Sequence, residues 1–252
     1  MHQPVALVTG ASAGLGVEFA RQLAKRGQRL VLAARRKDRL EALAAELGNA
    51  RAVAIDLAEP GSTARLVAAI EAEGEQVELL VNNAGFGLKG RVAELDPARL
   101  REMIDLNVGS LTDLCRAIAS GMIERRSGAI LNVASTAAFQ PGPGMAVYFA
   151  TKAYVLSFTE ALHEELKPHG IKVSALCPGP TRTEFGAVAG FGENGSFDRM
   201  SMDAGSVVRA GLKGLDRNRA VVVTGLFNKI GAASTRFIPR PIIRKIAGAI
   251  KY

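Results

Sequence analysis

Three side chains in the middle of the sequence have the chemistry to move a proton to or from an oxygen atom. Tyr148 and Lys152 are one helical turn apart, and Ser135 lies thirteen residues before the tyrosine. A phenol has an ordinary pKa of about 10, and a neighbouring ammonium group favours its ionised form, so Tyr148 could exchange a proton near pH 7. A serine hydroxyl from a preceding strand could hold a carbonyl oxygen against the phenol. This set suits reversible alcohol–carbonyl chemistry, although Tyr-x-x-x-Lys also occurs by chance in ordinary helices.

A glycine-rich turn near the start of the chain could bind the phosphates of a nucleotide. Val5–Val8 is a short apolar run that leads into Thr9–Gly16, and Val17–Lys25 has the apolar periodicity of a helix that ends before Gly27. Glycine lets a pyrophosphate approach the backbone N–H groups at a helix N-terminus. The spacing Gly-x-x-x-Gly-x-Gly differs from the usual fingerprint Gly-x-Gly-x-x-Gly.

Short apolar runs alternate with helical segments along the chain. Strands are predicted at 5–9, 29–34, 51–55, 77–81, 128–134, 171–176 and 220–223. One intervening helix covers Lys37–Leu47 and ends at Gly48, and another begins with Asp96 as its cap and Pro97 in its first turn. The pattern predicts an α/β fold: one domain, 1–252, with a doubly wound parallel sheet of about seven strands and helices on both faces. Ligands of such sheets bind at the carboxyl ends of the strands, which is where the prediction places Gly10, Asp56, Asn82 and Ser135.

The glycine spacing, taken with the serine, tyrosine and lysine, resembles that of the short-chain dehydrogenase/reductase family. The resemblance covers nearly the whole chain, and its motifs follow in family order: Thr9–Gly16, Asp56-Leu57, Asn82–Gly85, Asn107, Ser135, Tyr148, Lys152 and Pro178–Thr181. It implies a Rossmann-type oxidoreductase, such as a carbonyl reductase, that assembles as a homodimer or homotetramer.

The resemblance also implies a role for each catalytic residue. Ser135 would orient the substrate oxygen, and Tyr148 would give it a proton in reduction or remove one in oxidation. Lys152 would lower the pKa of the tyrosine and hold the nicotinamide ribose. Asn107 would connect Lys152 to solvent through a water molecule, although by itself an asparagine inside a helix equally suits a local backbone bond.

The end of the second strand indicates which nicotinamide cofactor is preferred. Ala34 stands where NAD-preferring members of the family have an acid, and the guanidinium of Arg35 could bind the 2′-phosphate of NADP. NADP(H) is therefore preferred, with NAD(H) as the alternative. The other interpretation is that the cations here form a solvated basic face at a helix start; they are Arg35, Arg36, Lys37 and Arg39. The cofactor-binding residues implied by the family are Gly10, Ser12, Gly14, Leu15, Gly16, Arg35, Arg36, Asp56, Leu57, Asn83, Ala84, Gly85, Tyr148, Lys152, Pro178, Gly179, Thr181 and Thr183.

The composition fits a protein that is made and kept in the cytoplasm. The chain has 252 residues of which 48% are hydrophobic, and no apolar run is long enough to span a membrane. The strand at Val5 leaves no room for a signal peptide. Cys115 and Cys177 lack metal-ligand spacing, so neither a metal site nor a disulfide is expected.

Residues 183–205 are predicted to form a lid over the substrate. This segment is rich in glycine and contains Phe185, Phe191 and Phe197, and Met145 is expected to line the same pocket. These residue types favour an apolar substrate.

The C-terminal part carries most of the net charge of +8, with ten basic residues and one acid from Ser206 to Tyr252. Residues 226–252 are interpreted as a basic amphipathic extension whose last helix starts at Pro241 and places Ile242, Ile243, Ile246 and Ile250 on one face. Three alternatives remain open: packing on the body or a second subunit, peripheral contact with a membrane, and nucleic-acid binding, for which no recognised motif exists. The rival to an enzyme is a non-catalytic nucleotide-sensing or membrane-peripheral scaffold, against which the complete set of catalytic residues argues.

Overall fold

A parallel sheet forms the centre of the computed structural model, which describes residues 3–190 and 201–249. Within these residues the strands are β1 Gln3–Thr9, β2 Leu30–Ala34, β3 Ala50–Ala54, β4 Glu75–Asn82, β5 Ala129–Val133, β6 Lys172–Cys177 and β7 Val221–Val223. They pair in the order β3-β2-β1-β4-β5-β6-β7, and every pair is parallel. The prediction of a seven-stranded, doubly wound parallel sheet is confirmed.

Helices connect the strands. In the described ranges they are α1 Gly14–Lys25, α2 Lys37–Leu47, α3 Ser62–Glu71, α4 Pro97–Ile104, α5 Leu111–Arg125, α6 Ala146–Leu166, α7 Phe185–Ala189, α8 Ala204–Asp216, α9 Leu226–Ser234 and α10 Arg240–Ala249. The predicted bounds of α2 are correct, because Gly48 ends the helix with a φ of 70°. Asp96 caps α4 as predicted by accepting a hydrogen bond from the Ala98 N–H.

The sheet separates two apolar cores. Side chains of β2 alternate between them, with Val31 and Ala33 on one face and Leu30 and Leu32 on the other. Helices α3, α5 and α6 cover the first face, and α1, α2 and α8 cover the second. Burial on both faces explains why the strands are continuous apolar runs. Since each fully buried leucine contributes about 1.5–3 kcal/mol, these cores hold the strand ends rigidly in place.

The strand order reverses between β1 and β4, which opens a crevice at their carboxyl ends. The glycine turn follows β1, Asn83 follows β4, and Ser135 follows β5. The fold therefore brings residues from distant parts of the sequence to one edge of the sheet.

Two predicted segments are only partly described. Of the 183–205 lid, the structure describes 183–190, including α7, and 201–205, but Phe191 and Phe197 lie outside the described residues. Helix α10 begins at Arg240, one residue before the predicted start, and Ile250 also lies outside the description. No helix among residues 3–190 and 201–249 is long and apolar enough to cross a membrane.

Candidate active site

The proposed acid, its lysine and its serine partner converge beside the carboxyl end of β5. Tyr148 and Lys152 project from α6 and are only 8% and 6% exposed. Ser135 begins a short 3-10 turn, where its Oγ accepts a hydrogen bond from the Ala137 N–H at 3.1 Å. The Lys152 Nζ donates to the Val133 carbonyl at 2.8 Å and lies 5.9 Å from the centre of the Tyr148 ring. The structure thus brings the three side chains together as the sequence predicts.

Burial dominates the proton affinities of this pair. Removal from water raises the pKa of Tyr148 to about 12, and a hydrogen bond with Ser135 opposes the rise. Removal from water also lowers the pKa of Lys152 to about 8, while the nearby Cys177 thiol opposes the fall. Lys152 is not among the causes that shift the tyrosine pKa here, and its ammonium group donates to the Val133 carbonyl instead. That Lys152 lowers the pKa of Tyr148 stays a prediction. A phenol that is neutral at pH 7 is a proton donor.

The side chain of Asn107 forms hydrogen bonds with the backbone of Phe86. Asn107 lies in a π-helical turn, Asp105–Ser110, between α4 and α5. Its Oδ1 accepts from the Phe86 N–H at 3.1 Å, and its Nδ2 donates to the Phe86 carbonyl at 2.9 Å and to the Thr151 Oγ1 at 3.1 Å. These bonds fix the loop after β4 to α6. The connection from Lys152 to solvent through Asn107 stays a prediction.

A cavity of about 660 Å³ joins this set to the glycine turn. The predicted site residues that line it are Gly10, Ser12, Gly14, Leu15, Arg35, Arg36, Asp56, Leu57, Asn83, Ala84, Gly85, Ser135, Tyr148, Lys152, Pro178, Gly179, Thr181 and Thr183. Gly16 and Asn107 do not line the cavity. Each packs against a glycine that does, Gly16 against Gly10 and Asn107 against Gly85. A Cβ on Gly16 would lie 2.2 Å from the Gly10 carbonyl oxygen, so only glycine fits there.

The backbone of the glycine turn is held by two side chains. Thr9 Oγ1 accepts from the N–H groups of Asn83 and Ala84, both at 3.0 Å. Asn83 Nδ2 donates to the carbonyls of Thr9 and Gly10 at 2.9 and 3.3 Å. Sequence reasoning missed Thr9 as a structural residue of the site, although its place directly before the first glycine was a usable signal.

The basic residues after β2 are paired with acids from distant elements. Arg35 lies 3.0 Å from Glu102 and 3.6 Å from Asp56. Glu184 bridges Arg36 at 3.0 Å and Arg39 at 2.7 Å, and these two guanidinium groups lower the pKa of its carboxyl group. Sequence analysis missed Glu102 and Glu184 because no local pattern links them to arginines so far away in the chain.

Apolar side chains surround the end of the cavity at which the Tyr148 side chain lies. Tyr148 packs with Phe86, Met145 and Phe149 in one buried cluster, and the Tyr148 and Phe185 rings have centres 5.4 Å apart. Phe185 is the first residue of α7, so the start of the predicted lid touches the proposed acid. This geometry suits proton transfer to an oxygen atom carried by an apolar molecule.

Known proteins share this architecture. A family model described as short chain dehydrogenase matches residues 4–191. An NADP-dependent 3-hydroxy acid dehydrogenase from Salmonella typhi is 36% identical over 192 residues, which cover 73% of this chain and 75% of that protein. A short-chain dehydrogenase from Sphingobium yanoikuyae, solved in complex with NADPH, superimposes with a TM-score of 0.84 at 34% identity and covers 98% of this chain and 96% of its own. The bulky-bulky ketone specific alcohol dehydrogenase from Comamonas testosteroni has a TM-score of 0.78 at 29% identity, with 100% of this chain and 96% of its own covered. The chain described here belongs to the short-chain dehydrogenase family of oxidoreductases.

Proposed function

We propose that this protein interconverts an apolar alcohol and the corresponding ketone or aldehyde with NADP(H) as cofactor. The observation that carries the proposal is the buried Tyr148, which lies beside Ser135 and Lys152 where the apolar end of the cavity meets the nucleotide crevice. The cofactor preference agrees with the relatives, since the Salmonella enzyme is named NADP-dependent and the Sphingobium structure contains NADPH.

The residues present fit a dinucleotide. Gly10 and Gly14 have φ values of 65° and 55°, which favour glycine, and the turn they form leads directly into α1. Ala13 at the N-cap supplies no capping side chain, so the first N–H groups of α1 are available to a phosphate. Arg35 and Arg36 line the same cavity and would face a 2′-phosphate. When bound, the cofactor supplies the hydride chemistry at its nicotinamide ring.

The chain's own residues would handle the oxygen and the proton. Tyr148 would donate its phenolic proton to the carbonyl oxygen in reduction, and Ser135 would donate a hydrogen bond to the same oxygen. Lys152 would hold the nicotinamide ribose, and its positive charge would stabilise the phenolate that remains. Asn107 would keep the loop after β4 in register with α6 while this happens.

The substrate proposal depends on the wall around Tyr148. Phe86, Met145, Phe149 and Phe185 form an apolar surface there, whereas the arginines that line the cavity lie at the nucleotide end. A large ketone with apolar substituents would bury its surface on this wall. The Comamonas structure, named for its specificity for bulky-bulky ketones, supports this substrate class.

A non-catalytic nucleotide sensor is the weaker alternative. It would have no use for a buried phenol beside a desolvated lysine, and burying an ionisable group costs stability that a sensor would not need to lose. The homodimer or homotetramer implied by the family stays a prediction, and light scattering on the purified chain would test it.

The test of the activity is Tyr148→Phe, with Tyr154→Phe as the matched control. Tyr154 is 40% exposed and hydrogen-bonded to Thr112, away from the cavity. NADPH consumption should be followed with ketones and aldehydes of increasing hydrophobicity. The Tyr148 variant should lose roughly 10²-fold or more in turnover while still binding NADPH, and the control should keep full activity. Turnover in the Tyr148 variant close to that of the wild type would contradict the proposed acid.

A further inference from the structure

Large apolar side chains are concentrated on the surface made by α9, the turn after it and α10. The exposed members are Leu226 at 70%, Phe227 at 88%, Ile230 at 58%, Phe237 at 86%, Ile242 at 49% and Ile246 at 53%. These are six of the nine large hydrophobic residues that are exposed in the described parts of the chain. Such a concentration marks an interaction surface, because single exposed apolar residues are normally scattered. We call it the C-terminal surface.

The described segment that forms the C-terminal surface, 226–249, contains five cations, Lys229, Arg236, Arg240, Arg244 and Lys245, and no acid. After Asp216 the sequence contains eight cations and no acid: Arg217, Arg219, Lys229, Arg236, Arg240, Arg244, Lys245 and Lys251. The resulting charge of +8 equals the net charge of the whole chain, so the preceding residues balance to zero. Asp216, the last acid, pairs with Arg26, which directly follows α1. A partner must therefore offer negative charge together with an apolar region.

Each helix rests on the protein with one row of side chains and presents another row outward. In α10, Ile243 and Ala247 are buried, whereas Ile242 and Ile246 are half-exposed. Of the isoleucines predicted to share one helix face, Ile243 thus packs on the protein and Ile242 and Ile246 lie at the surface, whereas Ile250 lies outside the described residues. In α9, Ala232 is buried while the residues at its start are exposed. The two helices are joined by a tight turn in which Ile238 N–H bonds to the Ser234 carbonyl.

We propose that the C-terminal surface binds the headgroup region of an anionic lipid bilayer. Phenylalanine and isoleucine side chains would enter the boundary of the acyl chains, and the surrounding arginines and lysines would contact lipid phosphates. A second copy of this chain fits less well, since a symmetric contact would bring two positively charged surfaces together. A nucleic acid would neutralise the charge but would leave the apolar side chains in water.

The C-terminal surface adjoins the catalytic cavity. Asn228 on α9 donates to the Thr224 carbonyl at 2.8 Å and packs against Gly179, where an added Cβ would lie 2.2 Å from the Asn228 Nδ2. Gly179 lines the cavity. Membrane attachment would thus place the cavity near a reservoir of apolar molecules; this consequence rests on the proposed function, whereas the lipid binding itself does not.

The test uses the full-length chain and two kinds of vesicle, one of phosphatidylcholine alone and one that also contains phosphatidylglycerol. Co-sedimentation should show binding to the anionic vesicles that weakens as salt is added, because exposed charges are screened. The double substitution Arg244→Gln and Lys245→Gln should weaken binding roughly 30-fold at low ionic strength, from about 1 kcal/mol for each near-surface charge.

The proposal requires that the apolar side chains of the C-terminal surface contribute to lipid binding as well as its cations. The double substitution Phe227→Ser and Phe237→Ser should abolish co-sedimentation with the anionic vesicles, while Val92→Ser, which alters an exposed apolar residue elsewhere, should have no effect. Binding that survives the phenylalanine substitutions, or no binding to anionic vesicles by the wild type, would overturn the proposal. So would a wild-type oligomer that dissociates in the phenylalanine variant, since a second copy would then cover the surface. NADPH consumption measured on the same samples tests the enzyme separately, so failure of one proposal does not imply failure of the other.

Discussion

Replacement of Lys152 by methionine should change how the stability of the protein depends on pH. The folded structure lowers the pKa of this ammonium group from its ordinary value of 10.5 to about 8 because the side chain is removed from water. Between these two pH values the unfolded chain binds more protons than the folded one at this site. The free energy of unfolding should therefore rise with pH across that window in the wild type and should lack this contribution in Lys152→Met.

The size of the effect follows from the same two values. Each pKa unit corresponds to about 1.4 kcal/mol, so the full difference between pH 8 and 10.5 is about 3 kcal/mol. Solvent screens this charge little, since Lys152 is only 6% exposed. Below pH 8 the wild type keeps a buried charge that the methionine variant avoids, and the variant should be relatively most stable there.

Urea unfolding of both proteins at pH 7, 8.5 and 10 would measure the difference without cofactor or substrate. The rise in the pKa of Tyr148 acts mainly above pH 10 and occurs in both proteins, so it largely cancels in the comparison. Lys213→Met, at an exposed position on α8, is the control and should follow the wild type at every pH. A stability difference between Lys152→Met and the wild type that stays constant with pH would show that water reaches the ammonium group and that burial does not set its pKa.

Four further substitutions test the site. Arg35→Ala should weaken NADPH roughly tenfold and leave NADH nearly unchanged, and Ala34→Asp should shift preference towards NADH; equal affinities of the wild type for both cofactors in calorimetry would refute the assignment. Asn107→Ala removes the bonds that hold Phe86 and should lower the free energy of unfolding by about 1–3 kcal/mol, so an unchanged urea midpoint would argue against that role. Gly16→Ala places a Cβ 2.2 Å from the Gly10 oxygen, and NADPH affinity should fall sharply; retained affinity would mean that the turn can shift.

The fold and the glycine turn could be predicted because their signals are local. Buried parallel strands are continuous apolar runs, and the start and end of α2 follow from residues inside or next to the helix. Helical periodicity places Tyr148 and Lys152 on one face of α6, and the place of Ser135 beside them follows from the resemblance to the short-chain dehydrogenase/reductase family. The strands, the helix ends and the helical periodicity depend on residues that are close in the sequence, so they can be predicted without knowledge of the tertiary structure.

The proton affinity of Tyr148 could not be predicted in the same way. Sequence spacing places Lys152 on the same helix face, but it does not reveal that the ammonium group bonds to the Val133 carbonyl. Nor does it reveal how completely α6 is buried at this point. Since desolvation and a neighbouring charge shift the pKa of a phenol in opposite directions, the sign of the result depends on burial that only the folded structure supplies.

For the cations after β2, the sequence shows the arginines that could bind a phosphate but not the carboxylates with which they are already paired. An arginine that faces only water would contribute the full free energy of a phosphate contact to cofactor binding. Arg35, Arg36 and Arg39 already pair with carboxylates, and those ion pairs must be broken first. The arginine side chains are 41% to 57% exposed, and ion pairs of this kind contribute about 0–1 kcal/mol each. A charge-assisted bond to a doubly charged phosphate is worth about 1.5–3 kcal/mol, so the 2′-phosphate should still win the exchange, by a smaller margin than unpaired arginines would give. Glu184 directly precedes Phe185, which contacts Tyr148. Its release from Arg36 and Arg39 would therefore connect binding of the phosphate to the wall of the substrate cavity.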